Sequence, residues 1–150
     1  MGKTITTNRK AFHEYHIFDK LTAGMVLTGT EIKSIRQGGI NLKDSFVKIE
    51  NGEALLYSCH ISPYDKGNIY NHEPERVRKL LLKKKEIEKF QIKVNKEKYT
   101  IVPLSVFIER GFAKVEIALA KGKKLYDKRE DIAKKSQQRD IQRNFKNKKM

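Results

Sequence analysis

Cysteine, tryptophan, proline and long apolar runs are scarce in this sequence: its 150 residues include one cysteine, three prolines and no tryptophan. The single cysteine, Cys59, cannot form a disulfide within the chain and is typical of a reducing compartment. No stretch approaches the roughly 18 apolar residues that a membrane span needs. Near the N-terminus, Lys3, Arg9 and Lys10 lead into polar residues rather than into the apolar core of a signal peptide. We therefore expect a cytoplasmic protein.

Acidic residues are also few: 18 Asp and Glu stand against 33 Lys and Arg, a formal net charge of +15. The last thirty residues carry twelve of the basic residues and four of the acidic ones, with almost nothing apolar between them. Such a segment cannot bury enough surface to repay the ordering of its backbone, so we predict that it is disordered when free. The charge indicates a polyanionic partner, because Lys and Arg contacts with a phosphate backbone gain affinity by releasing counterions.

Motifs of enzymes and metalloproteins are missing as well. His13 and His16 are three residues apart on a predicted strand, so they would point to opposite faces. Cys59 and His60 are neighbours in sequence and face away from each other, which prevents proton transfer between them. The acidic residues show no distinctive paired spacing, and the glycines lie in turns rather than in a phosphate-binding loop. We predict no catalytic residue, no metal site, no cofactor and no enzymatic activity, with Cys59 as a small buried thiol beside a surface imidazole.

The chain divides by composition into a short basic N-terminal arm (1–12), a domain (13–120) and a basic tail (121–150). A domain of this size buries about two-thirds of its unfolded surface, which is enough for one core. About six short strands with helices between them are too rich in strand for a doubly wound parallel sheet. We predict a mainly β fold, a small closed or partly open antiparallel barrel that leaves few exposed edges.

Turn signals locate the strands. Asn51-Gly52 and Arg110-Gly111 each join two alternating segments into a predicted hairpin. The residues from Tyr15 to Thr28 suit one or two strands with a turn at Ala23 and Gly24.

Two segments have helical patterns. Thr28 to Gln37 is predicted as a two-turn helix, because Thr28 and Glu31 have the spacing of a capping box. Apolar residues also recur at helical spacing from Glu75 to Phe90, but one straight helix would bury Lys84. We therefore predict two short helices there, with a break near Leu82 and Lys83.

Basic and aromatic residues together favour RNA as the polyanion. The segment 76–85 carries six Lys or Arg, and the chain has six tyrosines whose rings can stack on unpaired bases. Taken alone, the basic segment fits a solvated helix face equally well, and most of the tyrosines fit ordinary rim packing. Tyr126 differs, since it lies in the tail with no core to join.

Five blocks of residues then point to a known family. They are GTEIKSIRQG at 29–38, DSFV at 44–47, NHEPERVRKLLL at 71–82, VPL at 102–104 and AKGKKLYDKR at 120–129. In this order, over nearly the whole chain, they resemble the SsrA-binding protein (SmpB) family. The resemblance implies a six-stranded, OB-fold-like antiparallel barrel with about three short helices and a disordered basic C-terminal tail.

The resemblance also implies a function in trans-translation without catalysis. Members bind the tRNA-like domain of transfer-messenger RNA (tmRNA, SsrA RNA) and deliver it, with elongation factor Tu and GTP, to stalled ribosomes. There the tail, disordered when free, becomes helical and probes the empty messenger channel beside small-subunit rRNA, and the unfinished peptide is tagged. A constitutive ribosomal protein, another structured-RNA-binding protein and an RNA-processing enzyme are the alternatives.

Site residues follow from the same resemblance. Leu81 and Lys114 match RNA-contact positions of the family, and Thr22 matches a third, where several relatives carry Glu. We expect further residues to line or flank this basic surface: Glu31, Lys33, Arg36, Arg76, Arg78 and Lys79. In the tail, Tyr126 matches the position that stacks on a decoding base. The other expected contacts in the messenger channel are Lys121, Lys123, Lys124, Asp127, Lys128 and Arg129.

Overall fold

The computed structural model describes residues 3–64 and 71–123. In these two ranges the chain forms nine strands and three helices. They are β1 (Lys3–Thr7), α1 (Arg9–Glu14), β2 (Tyr15–Met25), α2 (Gly29–Arg36), β3 (Ile40–Asn41), β4 (Phe46–Glu50), β5 (Glu53–Tyr57), β6 (His60–Ile61), β7 (Arg78–Leu81), α3 (Lys84–Glu97), β8 (Thr100–Glu109) and β9 (Phe112–Gly122). Among the described residues, no helix is both long enough and apolar enough to cross a membrane.

Six of the strands close into a ring. The strand order around the ring is β8, β4, β5, β7, β2 and β9, and β9 pairs again with β8. All neighbouring strands in the ring are antiparallel. The closure between β4 and β8 consists of one residue pair, Val47 and Ile101. Strand β1 pairs with the same edge of β8 as β4 does, but farther along the strand, where Lys3 lies opposite Ile108. A closed ring leaves few unpaired edges, and the predicted six-stranded, OB-fold-like antiparallel barrel is confirmed.

Both predicted hairpins are present, and their turns have the expected geometry. Asn51 and Gly52 have φ values of 53° and 77°, and Arg110 and Gly111 have 53° and 83°. Two successive residues with positive φ make the tight turn that suits the right-handed twist of the flanking strands. The turns therefore set the register of β4 against β5 and of β8 against β9.

The predicted helix after Thr28 is also confirmed. The backbone N–H of Thr28 donates to Glu31 Oε1 at 2.8 Å, and Thr28 Oγ1 accepts from the backbone N–H of Glu31 at 3.4 Å. This reciprocal pair is a capping box, and it fixes the start of α2.

The prediction for Glu75 to Phe90 is half wrong. The chain does break at Leu82 and Lys83, but the residues before the break form strand β7 rather than a helix. Arg78 and Leu80 are buried, whereas Lys79 and Leu81 point outward, so the side chains alternate with the period of a strand. Helical spacing is misleading here because β5 and β2 each supply a pairing partner for this segment, and pairing on both sides outweighs local preference.

The turn predicted at Ala23 and Gly24 is wrong as well, since β2 runs unbroken from Tyr15 to Met25. Gly24 pairs with Leu81 on one side and with Lys114 on the other, which holds its backbone extended within the barrel. The strand bends instead at a register shift between Ile17 and Lys20.

Most residues expected to form an N-terminal arm belong to the folded body. Strand β1 pairs with β8, and Asn8 begins α1 by accepting the backbone N–H of Ala11 at 3.2 Å. The Asn8 amide also donates to the carbonyl oxygens of Pro103 (2.9 Å) and Leu42 (3.3 Å), which joins α1 to β8 and to the loop before β4. Predictions for the tail beyond Lys123 lie outside the described residues.

Candidate nucleic-acid interface

A groove on the outer face of the barrel brings together three of the residues predicted to contact RNA. Thr22 from β2, Leu81 from β7 and Lys114 from β9 line it, with Leu82, Lys83, Glu86 and Gly24, around a volume of about 410 Å³. Gly24 lies at its centre because its backbone pairs with both Leu81 and Lys114. Residues far apart in sequence therefore meet through strand pairing alone.

The groove combines an apolar patch with positive charge. Leu81 is 56% exposed, which is unusual for a leucine, and its Cβ lies 3.5 Å from where a Cβ on Gly24 would stand. Lys114 Nζ donates to Glu109 Oε1 at 2.8 Å, and this hydrogen bond lowers the pKa of Glu109. The ion pair is partly exposed and so contributes little to stability. Lys114 can exchange this partner for a phosphate at small cost.

Helix α2 carries Lys33 and Arg36, two more of the predicted residues, and neither lines the groove. Arg36 Nη2 donates to the carbonyl oxygen of Gly111 at 3.3 Å, at the turn of the hairpin that carries Lys114. Lys33 Nζ instead lies 5.6 Å from the ring centre of Tyr64, near the end of the first described range.

Two residues predicted to line the surface are buried instead. Glu31 and Arg78 both have 0% exposure, and Arg78 Nη2 lies 2.7 Å from Glu31 Oε2. The expectation that they line an RNA-binding surface does not fit this burial. Arg76, from the same predicted set, is partly exposed and donates to Glu31 Oε1 at 2.6 Å.

These three side chains form an ion-pair network that joins α2 to β7. Burial would raise the pKa of Glu31, but hydrogen bonds from Arg76, from the backbone of Thr28 and from Arg78 outweigh it and lower that pKa to about 2. Arg78 also donates to the carbonyl oxygens of Cys59 (2.6 Å) and Glu73 (3.2 Å), so its buried charge is well satisfied. The network holds in place the strand that carries Leu81.

The remaining predicted surface residue, Lys79, points outward from β7 between the buried Arg78 and Leu80. Its Nζ lies 3.0 Å from Glu53 Oε2 on the neighbouring strand. Lys79 therefore flanks the groove but does not line it.

Two of the predicted channel contacts are described: Lys121 lies near the end of β9, and Lys123 directly follows the strand. Lys121 Nζ lies 4.6 Å from the ring centre of Tyr99, and Lys123 Nζ donates to the carbonyl oxygen of Phe12 at 3.3 Å. The other predicted channel contacts, Lys124, Tyr126, Asp127, Lys128 and Arg129, lie outside the described residues.

Gly24 and Lys83 belong to the groove although sequence reasoning does not place them there. The sequence pattern indicates a turn at Gly24 and a helix break at Lys83. No alternation of polar and apolar residues marks Arg78 to Leu81 as a strand in the sequence, so the pairing of β7 with β2 and β5 is what reveals them.

Cys59 is fully buried, as predicted, beside the partly exposed His60. Burial raises the pKa of the Cys59 thiol to about 12, so it remains protonated and unreactive. Among the described residues, no group of three His, Cys, Asp or Glu side chains could hold a metal ion.

A closed antiparallel barrel with an outer groove that combines apolar and basic side chains is typical of small RNA-binding proteins. The profile of the family described as SmpB protein matches residues 5–147. The chain therefore belongs to the SmpB protein family.

Close relatives agree with this assignment. The chain is 60% identical to the SsrA-binding protein of Enterococcus faecalis over 146 residues, which is 97% of this chain and 95% of the relative. It is 54% identical to the SsrA-binding protein of Caldanaerobacter subterraneus subsp. tengcongensis over 148 residues, 99% and 94% of the two chains. A solved chain from "tmRNA-SmpB: a journey to the center of the bacterial ribosome" is similar in structure, with a TM-score of 0.67 and 44% identity, and the match covers 79% of this chain and 83% of that one.

Proposed function

We propose that this protein is a non-catalytic RNA-binding factor of trans-translation that holds the tRNA-like domain of tmRNA in the groove formed by Thr22, Leu81 and Lys114. The names of its relatives and the tmRNA–SmpB structure that it resembles support this function. It acts in the cytoplasm and needs no metal or cofactor.

The observation that carries the proposal is the meeting of these three residues, from three strands, around Gly24. An exposed leucine between two lysines suits folded RNA, because the leucine packs against a sugar or base face while the ammonium groups bind phosphates. Thr22 contributes a hydroxyl that can accept from a 2′-OH or donate to a phosphate oxygen. Arg36, at the turn of the hairpin that carries Lys114, and Lys79, which flanks the groove, add positive charge beside it.

The basic tail carries the second half of the function. With elongation factor Tu and GTP as part of the tmRNA complex, the protein reaches a stalled ribosome. There Tyr126 stacks on a base of the small-subunit decoding site, while the tail lysines and arginines contact the rRNA of the empty messenger channel. Two separate surfaces thus perform two separate tasks.

This division of labour is directly testable. Lys114→Glu should weaken binding of the tRNA-like domain in a gel shift by about tenfold or more, since a charge-assisted contact is replaced by repulsion. Lys96→Glu, an equal charge change at an exposed residue of α3, is the matched control and should have a much smaller effect. If both variants weaken binding equally, the groove is not the binding site.

The tail variant Tyr126→Ala with Lys128→Ala should bind the tRNA-like domain like the unmodified protein but should not support peptide tagging on stalled ribosomes. Equal losses in the binding and tagging assays would contradict the separation of the two surfaces.

A further inference from the structure

A second cavity opens on the barrel where its ring is least tightly closed. Strands β4 and β8 meet at the single pair Val47 and Ile101, and beside this pair a cavity of about 500 Å³ lies between α1 and α3. This volume is within the range of small-molecule sites. From the strands of the groove, β7, β2 and β9, the cavity takes one residue, Tyr15, and the two sites share no lining residue.

The lining of the cavity is mostly apolar and includes three aromatic side chains. The aliphatic walls are Val47, Ile49, Val94, Ile101 and Val102, and the aromatic residues are Tyr15, Phe46 and Tyr99. Flat aromatic walls favour a flat ring as the occupant, because ring stacking adds to the burial of apolar area.

Two amides give the cavity a polar side. Gln91 and Asn95 are four residues apart on α3 and both line the cavity. Neither side chain forms a hydrogen bond within residues 3–64 and 71–123, so their donors and acceptors are available to a ligand. Asn and Gln amides are the side chains that pair in bidentate fashion with base edges.

The lining also contains a lysine, Lys48, that packs against aromatic rings. The rings of Phe46 and Tyr57 are parallel, with centroids 5.4 Å apart, and Lys48 Nζ lies 5.8 Å and 5.7 Å from them. Within the described ranges Lys48 pairs with no carboxylate, whereas Lys10, also in the lining, pairs with Asp44. Lys48 is therefore the cation in the lining that is available to a phosphate.

We propose that this cavity binds one unpaired nucleotide, with its base inside against the aromatic walls, its edge on Gln91 and Asn95, and its phosphate on Lys48. A purely apolar occupant would desolvate the two amides without replacing their hydrogen bonds, which disfavours binding of such an occupant.

The inference rests on the RNA-binding function proposed above and extends it by adding a second contact, for a base extruded from the bound RNA. A free nucleotide has the same chemistry as an unpaired nucleotide within RNA. The test therefore includes both sources.

Titration of the full-length, ¹⁵N-labelled protein, followed by NMR, provides the test. The probes are the four ribonucleoside 5′-monophosphates, each added separately, the matching nucleosides, and a single-stranded RNA pentanucleotide. We expect amide shifts concentrated on β4, α3 and the start of β8, weaker binding of each nucleoside than of its monophosphate, and tightest binding of the pentanucleotide. Tightest binding of a monophosphate would assign the cavity to a free nucleotide and would overturn the proposed role in RNA contact.

Matched variants decide which atoms carry the binding. Gln91→Ala with Asn95→Ala should weaken monophosphate binding by about tenfold, the loss expected for one bidentate base contact. Gln37→Ala, which truncates an exposed amide at the end of α2, should leave it unchanged. Lys48→Gln should make monophosphate and nucleoside bind alike, whereas Lys96→Gln should not. Thermal unfolding of each variant checks that it is folded.

The result that would overturn the proposal is a shift pattern confined to the groove around Lys114, or an apolar dye that fills the cavity while no nucleotide does. Lys114→Glu separates this inference from the proposed function, because it should weaken binding of the tRNA-like domain and leave the monophosphate shifts at the cavity unchanged. If the gel shift shows no binding of the tRNA-like domain but the NMR titration shows nucleotide binding at the cavity, only the proposed function is wrong. The opposite pair of results would overturn only the cavity proposal.

Discussion

Replacing Glu31 by Gln tests the buried ion-pair network of α2 and β7 most directly. The change keeps the size of the side chain but removes the charge that faces Arg78 and Arg76 at 2.7 Å and 2.6 Å. Arg78, with 0% exposure, would then keep a buried charge without a counterion. Removal of one partner from a buried pair typically destabilises a protein by about 3 to 5 kcal/mol.

The pKa of Glu31 gives an independent magnitude. Its pKa in the folded protein is about 2, against 4.5 for a glutamate in water. Because the folded pKa is lowered, this carboxylate contributes its full stability above pH 4.5 and loses it as the pH falls through 2. At pH 7 the difference in pKa corresponds to a contribution of about 3 kcal/mol to the free energy of unfolding. At pH 3 about 1 to 2 kcal/mol of this contribution remains.

Urea denaturation of the unmodified protein and Glu31→Gln at pH 7 and at pH 3 measures both values. We expect the free energies of unfolding of the two proteins to differ by about 3 kcal/mol or more at pH 7, and this gap should narrow by about 2 kcal/mol at pH 3. Glu88→Gln, an exposed change on α3, should show almost no gap at either pH. A gap for Glu31→Gln that stays constant across this range would refute the charge argument and leave only packing as its cause.

Two further predictions concern the core. Phe90→Ala should lower the free energy of unfolding, measured by urea denaturation, by about 3 to 5 kcal/mol, because Phe90 is 1% exposed where α3 packs on the barrel. A loss below about 1 kcal/mol would contradict this packing. Cys59 should react with iodoacetamide only as fast as the protein opens, because its thiol is buried and protonated at neutral pH. Mass spectrometry measures the labelling, and rapid labelling of the native protein would be inconsistent with the structure.

Local chemistry makes the hairpins and α2 predictable. The turn at Asn51-Gly52 and the capping box of Thr28 and Glu31 each depend on residues within four positions of one another, and both are present. Strand β7 is not predictable in this way. Its four residues gain their pairing from β5 and β2, and their apolar spacing fits a helix equally well when those partners are unknown.

The candidate site is predictable in part of its membership and not in its arrangement. Thr22, Leu81 and Lys114 follow from a resemblance, and only the strand pairing shows that they share one groove. Sequence alone favours a surface position for Glu31 and Arg78, because charged residues are seldom fully buried. Their burial depends on contacts 45 and 47 residues apart in the sequence, between Glu31 and the two arginines.

The alternation of β7 explains how one short strand serves both stability and binding. Arg78 and Leu80 point inward, one into the ion-pair network and the other into the apolar core, while Lys79 and Leu81 point outward. A slip of one residue would exchange the two sets, which would bury Lys79 and expose Arg78. Because Arg78 finds its carboxylate only in the observed register, the network specifies the position at which Leu81 meets Gly24. The residues that stabilise the barrel therefore also fix the groove, although they do not line it.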